Sequence, residues 1–214
     1  MAVNRSDGPE TPRSLQQHWE DVYAARDPGE ASWYQTTPTA SLSLIRASSV
    51  SPSTKIIDIG GGASTLADHL LGEGFSDITV LDISANAIAG AQQRLGPAAS
   101  RVQWITADIT TWQPETQYGI WHDRAVFHFL TNAGDRDAYR AALTRALLPG
   151  GSAIFSTFSL DGPERCSGLP VQRYSPESLA AELGCGLTLV ESVTEDHHTP
   201  AGAIQRFVYC RFTR

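Results

Sequence analysis

One stretch constrains this chain more than any other: Lys55-Ile56-Ile57-Asp58-Ile59-Gly60-Gly61-Gly62-Ala63-Ser64-Thr65-Leu66. A β-branched apolar run stops at an acid, crosses three glycines and opens into a helical pattern. A strand feeding a helix through such a turn brings backbone close to a ligand, because only glycine leaves that much room. The turn is useful only if the rest of the chain supplies a sheet around it and polar groups to meet the ligand.

The pattern downstream supplies the sheet. After the first strand (55–59), strands are predicted over 78–81, 102–106, 118–121 and 152–158, with helices over 64–73, about 84–95 and about 135–147. Five strands alternating with helices imply a parallel sheet covered on both faces. A helix over 177–183 is followed by strands over 187–194 and 204–212. The segment between those two strands is too short for a helical crossover, so they pair antiparallel. The expected fold class is α/β, a seven-stranded mixed sheet with its last strand antiparallel, flanked by helices.

Three domain segments follow. Residues 1–13 are polar and proline-bearing, show no signal-peptide pattern and read as a disordered leader. Residues 14–50 read as an N-terminal helical lid. Ser14 caps a helix with Leu15, Trp19, Val22 and Tyr23 on one face, a linker carries Trp33-Tyr34, and Pro38 opens a second helix. Residues 51–214 form the ligand-binding domain, and a chain of 214 residues has little left for another.

Composition narrows the function. A net charge of −7 argues against nucleic-acid binding, and no apolar run approaches the roughly 20 residues of a membrane-spanning helix. Three widely spaced cysteines without C-x-x-C read as reduced thiols in a cytoplasmic protein. No ligand spacing indicates a metal site. The chain is expected to work as a monomer or homodimer.

Asp58, Asp82, Asp108 and Asp123 lie at or just beyond the ends of four successive strands, where open parallel sheets bind ligands. Asp82 stands 24 residues after Asp58, close to the roughly 20 expected of an acid that grips a ribose diol.

With these residues in place, the chain resembles the Rossmann-like (class I) S-adenosylmethionine-dependent methyltransferases. Their first motif, D-x-G-x-G-x-G, stands here as Asp58-Ile-Gly60-Gly61-Gly62-Ala-Ser64, with serine at the last glycine. Asp82 in LDIS matches the second motif, Asp108 in ADIT the third, and Leu148-Pro149-Gly150-Gly151 the turn into strand five. The resemblance implies S-adenosylmethionine as cofactor. The glycine turn would pass its methionine part with Asp58 near the ammonium. Asp82 would hold the ribose, with Ile83 beside the adenine. Asp108 would meet the adenine amino group while Ile109 packs on the ring, and His122 and Trp33 would border the cofactor. A nicotinamide-dependent dehydrogenase is the rival in this fold class. It would ordinarily show G-x-G-x-x-G, where this chain has Gly60, Gly62 and Thr65.

The acceptor is read from the opposite loops. WHDRAVFHFLTNAGDRDAY is similar to the strand-four region of thiopurine and tellurite-resistance methyltransferases, while the lead-in resembles several small-molecule and protein-lysine enzymes. The expected reaction is methyl transfer to S, N or O of a small molecule, with a thiol acceptor slightly favoured. A protein-lysine methyltransferase is the alternative and a non-catalytic cofactor-binding module a remoter one. His128, Asp123 and Cys166 are the expected catalytic groups. Tyr34, Arg124, Arg165, Arg173, His197 and His198 are expected to bind substrate, with Arg206 nearby. His128 is the first choice of base. Trp33-Tyr34 and the 161–173 loop are the expected lid.

Overall fold

A computed structural model describes residues 14–25, 28–184 and 186–214. The expected leader (1–13) and Cys185 lie outside the described residues.

Strand β1 (Ile56–Ile59) is buried along its whole length, as a β-branched run covered on both faces must be. Helix α3 (Leu66–Gly72) leaves the glycine turn, followed by β2 (Ile78–Asp82), α4 (Ala85–Leu95), β3 (Val102–Thr106) and β4 (Tyr118–Arg124). Then come α5 (Ala133–Ala146) and β5 (Leu147–Phe158). A two-residue pair, β6 (Arg165–Cys166) and β7 (Leu169–Pro170), folds the 161–173 loop back on itself. Helix α6 (Pro176–Leu183) precedes β8 (Thr188–His198) and β9 (Ile204–Thr213). The main sheet runs β3-β2-β1-β4-β5-β9-β8, with β9 antiparallel to both neighbours. The seven-stranded mixed sheet is therefore as expected.

Strand alternation divides the core. Ile57, Trp121, Phe155, Val208 and Phe212 face α5 and α6, while Ile56, Ile120, Ile154, Phe207 and Tyr209 face α2 (Thr39–Ala47) and α3. Burial of these side chains is the main stabilising term, about 1.5–3 kcal/mol for each large apolar group.

Strand order reverses at β1, between β2 and β4, and the crevice outside that switch point is where such sheets bind ligands. Helix α1 (Leu15–Ala25) has no fully buried residue and packs on α4 at the rim of this crevice. Several helix and strand ends differ from expectation. β4 continues to Arg124, β8 to His198, β5 starts at Leu147 and α3 at Leu66. Ladder pairing prolongs the strands, and Ser64–Thr65 stay in the turn.

Candidate active site

Asp58 pairs in register with His122 across the β1–β4 ladder. His122 Nδ1–H donates to Asp58 Oδ1 at 2.7 Å, and its Nε2 meets Ser41 Oγ of α2 at 2.8 Å. His122 thus stands behind Asp58 and orients it rather than bordering the cleft. Asp58 Oδ2 is buried and has no hydrogen-bond partner among the described residues. It faces the glycine turn, where a β-carbon on Gly61 would come within 2.2 Å of it. A buried carboxylate oxygen left unmet costs about 1–3 kcal/mol or more, so a cation or donor belongs there.

Asp82 reaches the same turn from β2. Gly62 N–H donates to its Oδ2 at 2.9 Å and Ser84 N–H to its Oδ1 at 2.8 Å. Burial pushes its carboxyl up to about 6 against the pull of those two N–H groups. Each oxygen keeps lone-pair capacity for a further donor. Asp108, beyond β3, accepts from Thr110 N at 2.8 Å and Thr110 Oγ1 at 2.7 Å. Ile83, Asp108 and Ile109 line the cleft together with Gly60 and Asp82.

Two cavities meet at Gly60 and Arg124. One is the same cleft that holds Asp82, Ile83, Asp108 and Ile109, and aromatic and aliphatic groups of α1 (Leu15, Trp19, Tyr23), Trp33, Phe129, Cys166 and Phe207 complete its walls. Its rings meet edge-on, Trp19 lying 5.2 Å from Phe129 and 5.7 Å from Trp33. The other is polar and lined by Tyr34, Gln35, Asp58, Gly61, Ser64 and Thr65. Ser64 Oγ accepts from Leu66 N–H at 3.0 Å, so its hydroxyl meets the first N–H of α3 from the turn before the N-cap Thr65.

The strap 32–37 borders both cavities, and the body grips its carbonyls one after another. His197 Nε2–H donates to Ser32 O at 2.8 Å, Arg124 Nη1–H to Trp33 O at 2.8 Å, Thr65 Oγ1–H to Gln35 O at 2.9 Å, and His69 Nε2 meets Thr36 O at 3.0 Å.

Several expected site residues lie elsewhere. Asp123 is fully buried and spent on structure, its oxygens accepting from Tyr139 Oη (2.5 Å), Val126 N (2.8 Å) and Phe127 N (3.1 Å). His128 lies under Phe129 and Phe158, outside the cleft lining. Its Nδ1 accepts from Phe158 N–H at 3.3 Å, and burial lowers its pKa to about 3. Arg173 braces the loop through Leu160 O, Gly162 O and Glu164. Arg165 bonds Gly168 O, Arg206 pairs with Asp196, and His198 is exposed. The expected convergence of His128, Cys166, His197 and His198 on one rim therefore reduces to Cys166, with His197 serving the strap. Among the described residues no group of three or more His, Cys, Asp or Glu is placed to hold a metal.

The sequence reading passed over Glu20, Phe129, Glu195, Phe207 and Tyr209. Phe207 carried a signal: an antiparallel β9 begins at the carboxyl ends of the parallel strands, so its first residues reach the crevice. Glu20 carried none. Its carboxylate accepts from Ala85 N (2.7 Å), Asn86 N (3.1 Å) and Ser84 Oγ (2.8 Å) at the start of α4. Burial raises its pKa, but these donors outweigh that and hold it below the usual range.

Acids at three parallel strand tips, set around a glycine turn in a sheet with an antiparallel last strand, agree with the family match over residues 56–151, described as a methyltransferase domain. No curated protein sequence matches the chain. Solved structures share the fold of the matched residues and of the elements that flank them. One, described under conversion of a disulfide bond into a thioacetal group during echinomycin biosynthesis, is 20% identical with a TM-score of 0.73, covering 94% of this chain and 92% of that one. The N-methyltransferase NodS of Bradyrhizobium japonicum WM9, in complex with S-adenosylhomocysteine, is 19% identical with a TM-score of 0.69, covering 94% and 99%. The 1,6-didemethyltoxoflavin-N1-methyltransferase of Burkholderia thailandensis is 19% identical with a TM-score of 0.66, covering 93% and 83%.

Proposed function

We propose that the protein is an S-adenosylmethionine-dependent methyltransferase acting on a small apolar molecule at a soft heteroatom, a thiol first. The observation that carries the cofactor is Asp58 Oδ2, buried and unmet beside the glycine turn, where an ammonium group is the complement. Asp82 offers a diol two acceptor oxygens already aimed by backbone N–H groups. Asp108, fixed by Thr110, faces the cleft beside Ile83 and Ile109, as an adenine edge and face would require. Bound there, S-adenosylmethionine supplies a methyl group already activated on a sulfonium.

The chain's own part is then to position the acceptor and exclude water. Helix α1 and the strap roof the chamber, and its aromatic walls suit a flat apolar body. Apart from Asp82 and Asp108, which this reading gives to the cofactor, no described side chain lining the cleft is a ready base at neutral pH. Burial holds the Cys166 thiol up at about 11 and raises the Tyr23 phenol well above its ordinary range, so both stay protonated. Arg124 is a cation. An acceptor that ionises by itself, as a thiol does near pH 8.5, needs no such base, whereas an alcohol or a lysine ammonium does. That favours a thiol over the protein-lysine alternative. Cys166 and Cys210 are free thiols, in keeping with a reducing compartment, and no described helix is long and apolar enough to cross a membrane.

The test is labelled methyl transfer to a panel of thiols, phenols, amines and cell lysate. Thiols should take the label. Labelled protein bands in the lysate would move the assignment to a protein substrate. Binding of NAD in place of S-adenosylmethionine would overturn the cofactor.

A further inference from the structure

Ser41 lies in the first turn of α2 and is fully buried. A serine inside a helix commonly turns its hydroxyl back on the helix's own backbone. Here the hydroxyl instead meets His122 Nε2 at 2.8 Å, 81 positions along the chain. His122 is buried on β4, between Asp58 of β1 and Ile154 of β5 in the ladder, and its Nδ1 meets Asp58 Oδ1 at 2.7 Å. A carboxylate can only accept, so Nδ1 carries the hydrogen, and the neutral ring offers its Nε2 lone pair to the Ser41 O–H. Held at both nitrogens, the ring has its tautomer and its plane set.

Ser41 also belongs to a longer run of grips, because the strap 32–37 leads through Pro38 straight into α2. On the strap, Arg124 holds Trp33 O through Nη1–H and donates from Nε to Tyr209 Oη at 2.9 Å. Tyr209 donates to Glu195 Oε2 at 2.9 Å, and Gln35 Nε2 donates to the same carboxylate. The Ser41 bond differs in what lies behind it: through one ring it reaches the carboxylate beside the glycine turn. Without the hydroxyl, Nε2 would be a buried acceptor with no partner. The ring could relieve that by flipping or by moving its hydrogen to Nε2, and either change takes the N–H away from Asp58 Oδ1.

We propose that Ser41 is a positioning residue for the methyl donor: through His122, its hydroxyl fixes the Asp58 carboxylate in the orientation that receives the donor. This rests on the S-adenosylmethionine reading and adds to it a residue that touches no ligand. By linkage, donor binding tightens the docking of α2 and of the strap leading into it, since one chain of hydrogen bonds serves both.

Calorimetry on the full chain with two ligands tests this. One is S-adenosylmethionine, and the other is 5′-methylthioadenosine, which keeps the adenosine and lacks the amino-acid end. Ser41→Ala should weaken S-adenosylmethionine by about three- to tenfold, the value of one neutral hydrogen bond. It should leave 5′-methylthioadenosine within about twofold of wild type. His122→Asn keeps an N–H for Asp58 but is too short to meet Ser41. In that background Ser41→Ala should change neither ligand by more than about twofold. Nitrogen-15 spectra of the wild-type His122 ring at mildly alkaline pH should show a protonated Nδ1 and a bare Nε2.

A wild-type ring with its hydrogen on Nε2 overturns the proposal, and that measurement needs no folded variant. Weakening of S-adenosylmethionine by less than about threefold in Ser41→Ala overturns it too. So does an equal loss for both ligands, or the same loss in the wild-type and His122→Asn backgrounds, either of which makes Ser41 a packing residue of α2. All of these leave the cofactor reading standing. Failure of wild type to bind S-adenosylmethionine sinks that reading itself and this proposal with it.

Discussion

At Gly61 a β-carbon would stand 2.2 Å from Asp58 Oδ2, and that carboxylate cannot retreat because His122 holds its other oxygen at 2.7 Å. Gly72, at the end of α3, has nothing within 4 Å of the same position. The two glycines therefore predict opposite outcomes. Gly61→Ala should destabilise the fold by about 1–3 kcal/mol through overpacking and should remove detectable S-adenosylmethionine binding by calorimetry. Gly72→Ala should leave binding unchanged and stabilise by up to about 1 kcal/mol in chemical unfolding. Equal binding by both variants would show that the slot beside Asp58 is not where the ligand sits. Much of this was readable in the chain, since an acid before three glycines already implied a close approach. The role of His122 was not: a residue 64 positions away becomes a partner only through the β1–β4 register.

Among the elements, α1 has the weakest hold on the body and the clearest latch. It buries no residue completely, and Glu20 fastens it to the first turn of α4, where exposed N–H groups and the helix dipole favour a carboxylate. Such a cap is worth about 0.5–2 kcal/mol, which shifts an open–closed equilibrium roughly two- to thirtyfold. Glu20→Ala should therefore speed release of S-adenosylmethionine by about that factor in stopped-flow displacement, with overall stability lowered by no more than about 0.5–2 kcal/mol. An unaltered release rate would show that α1 does not gate the cleft. The amphipathic face of α1 and the aromatic pair Trp33-Tyr34 were legible as packing groups, and the structure places them in the cavity linings. The latch was not, because nothing local in EDVYAA marks which acid meets a helix 65 residues further on. Similarly, VFHFL marks a packed turn but not which face its histidine takes, and the structure turns Phe129 to the cleft and His128 away from it.

For the molecule as a whole, strand number and polarity followed from the alternation of elements, whereas strand order and the site's inner wiring depend on contacts between distant strands. That wiring has a consequence for stability against pH. His128 is buried with its pKa lowered to about 3, while Asp82 and Asp123 are buried with theirs raised to about 6. As pH falls from about 6.5 to about 4, the unfolded chain protonates His128 and the native chain does not, so this residue withdraws stability at about 1.4 kcal/mol per pH unit. Between about pH 6 and pH 4 the two carboxyls act with the opposite sign, because the native chain takes up protons that the unfolded chain still lacks. Total stability therefore mixes opposing terms, and the difference between two proteins separates them. His128→Asn keeps an acceptor for the Phe158 N–H and removes the titration. The stability of wild type relative to His128→Asn, from urea unfolding, should fall by about 1.4 kcal/mol for each pH unit below about 6.5. A difference that stays flat down to pH 4 would mean that His128 protonates as readily in the fold as in water, and that its burial between Phe129 and Phe158 does not exclude the charge.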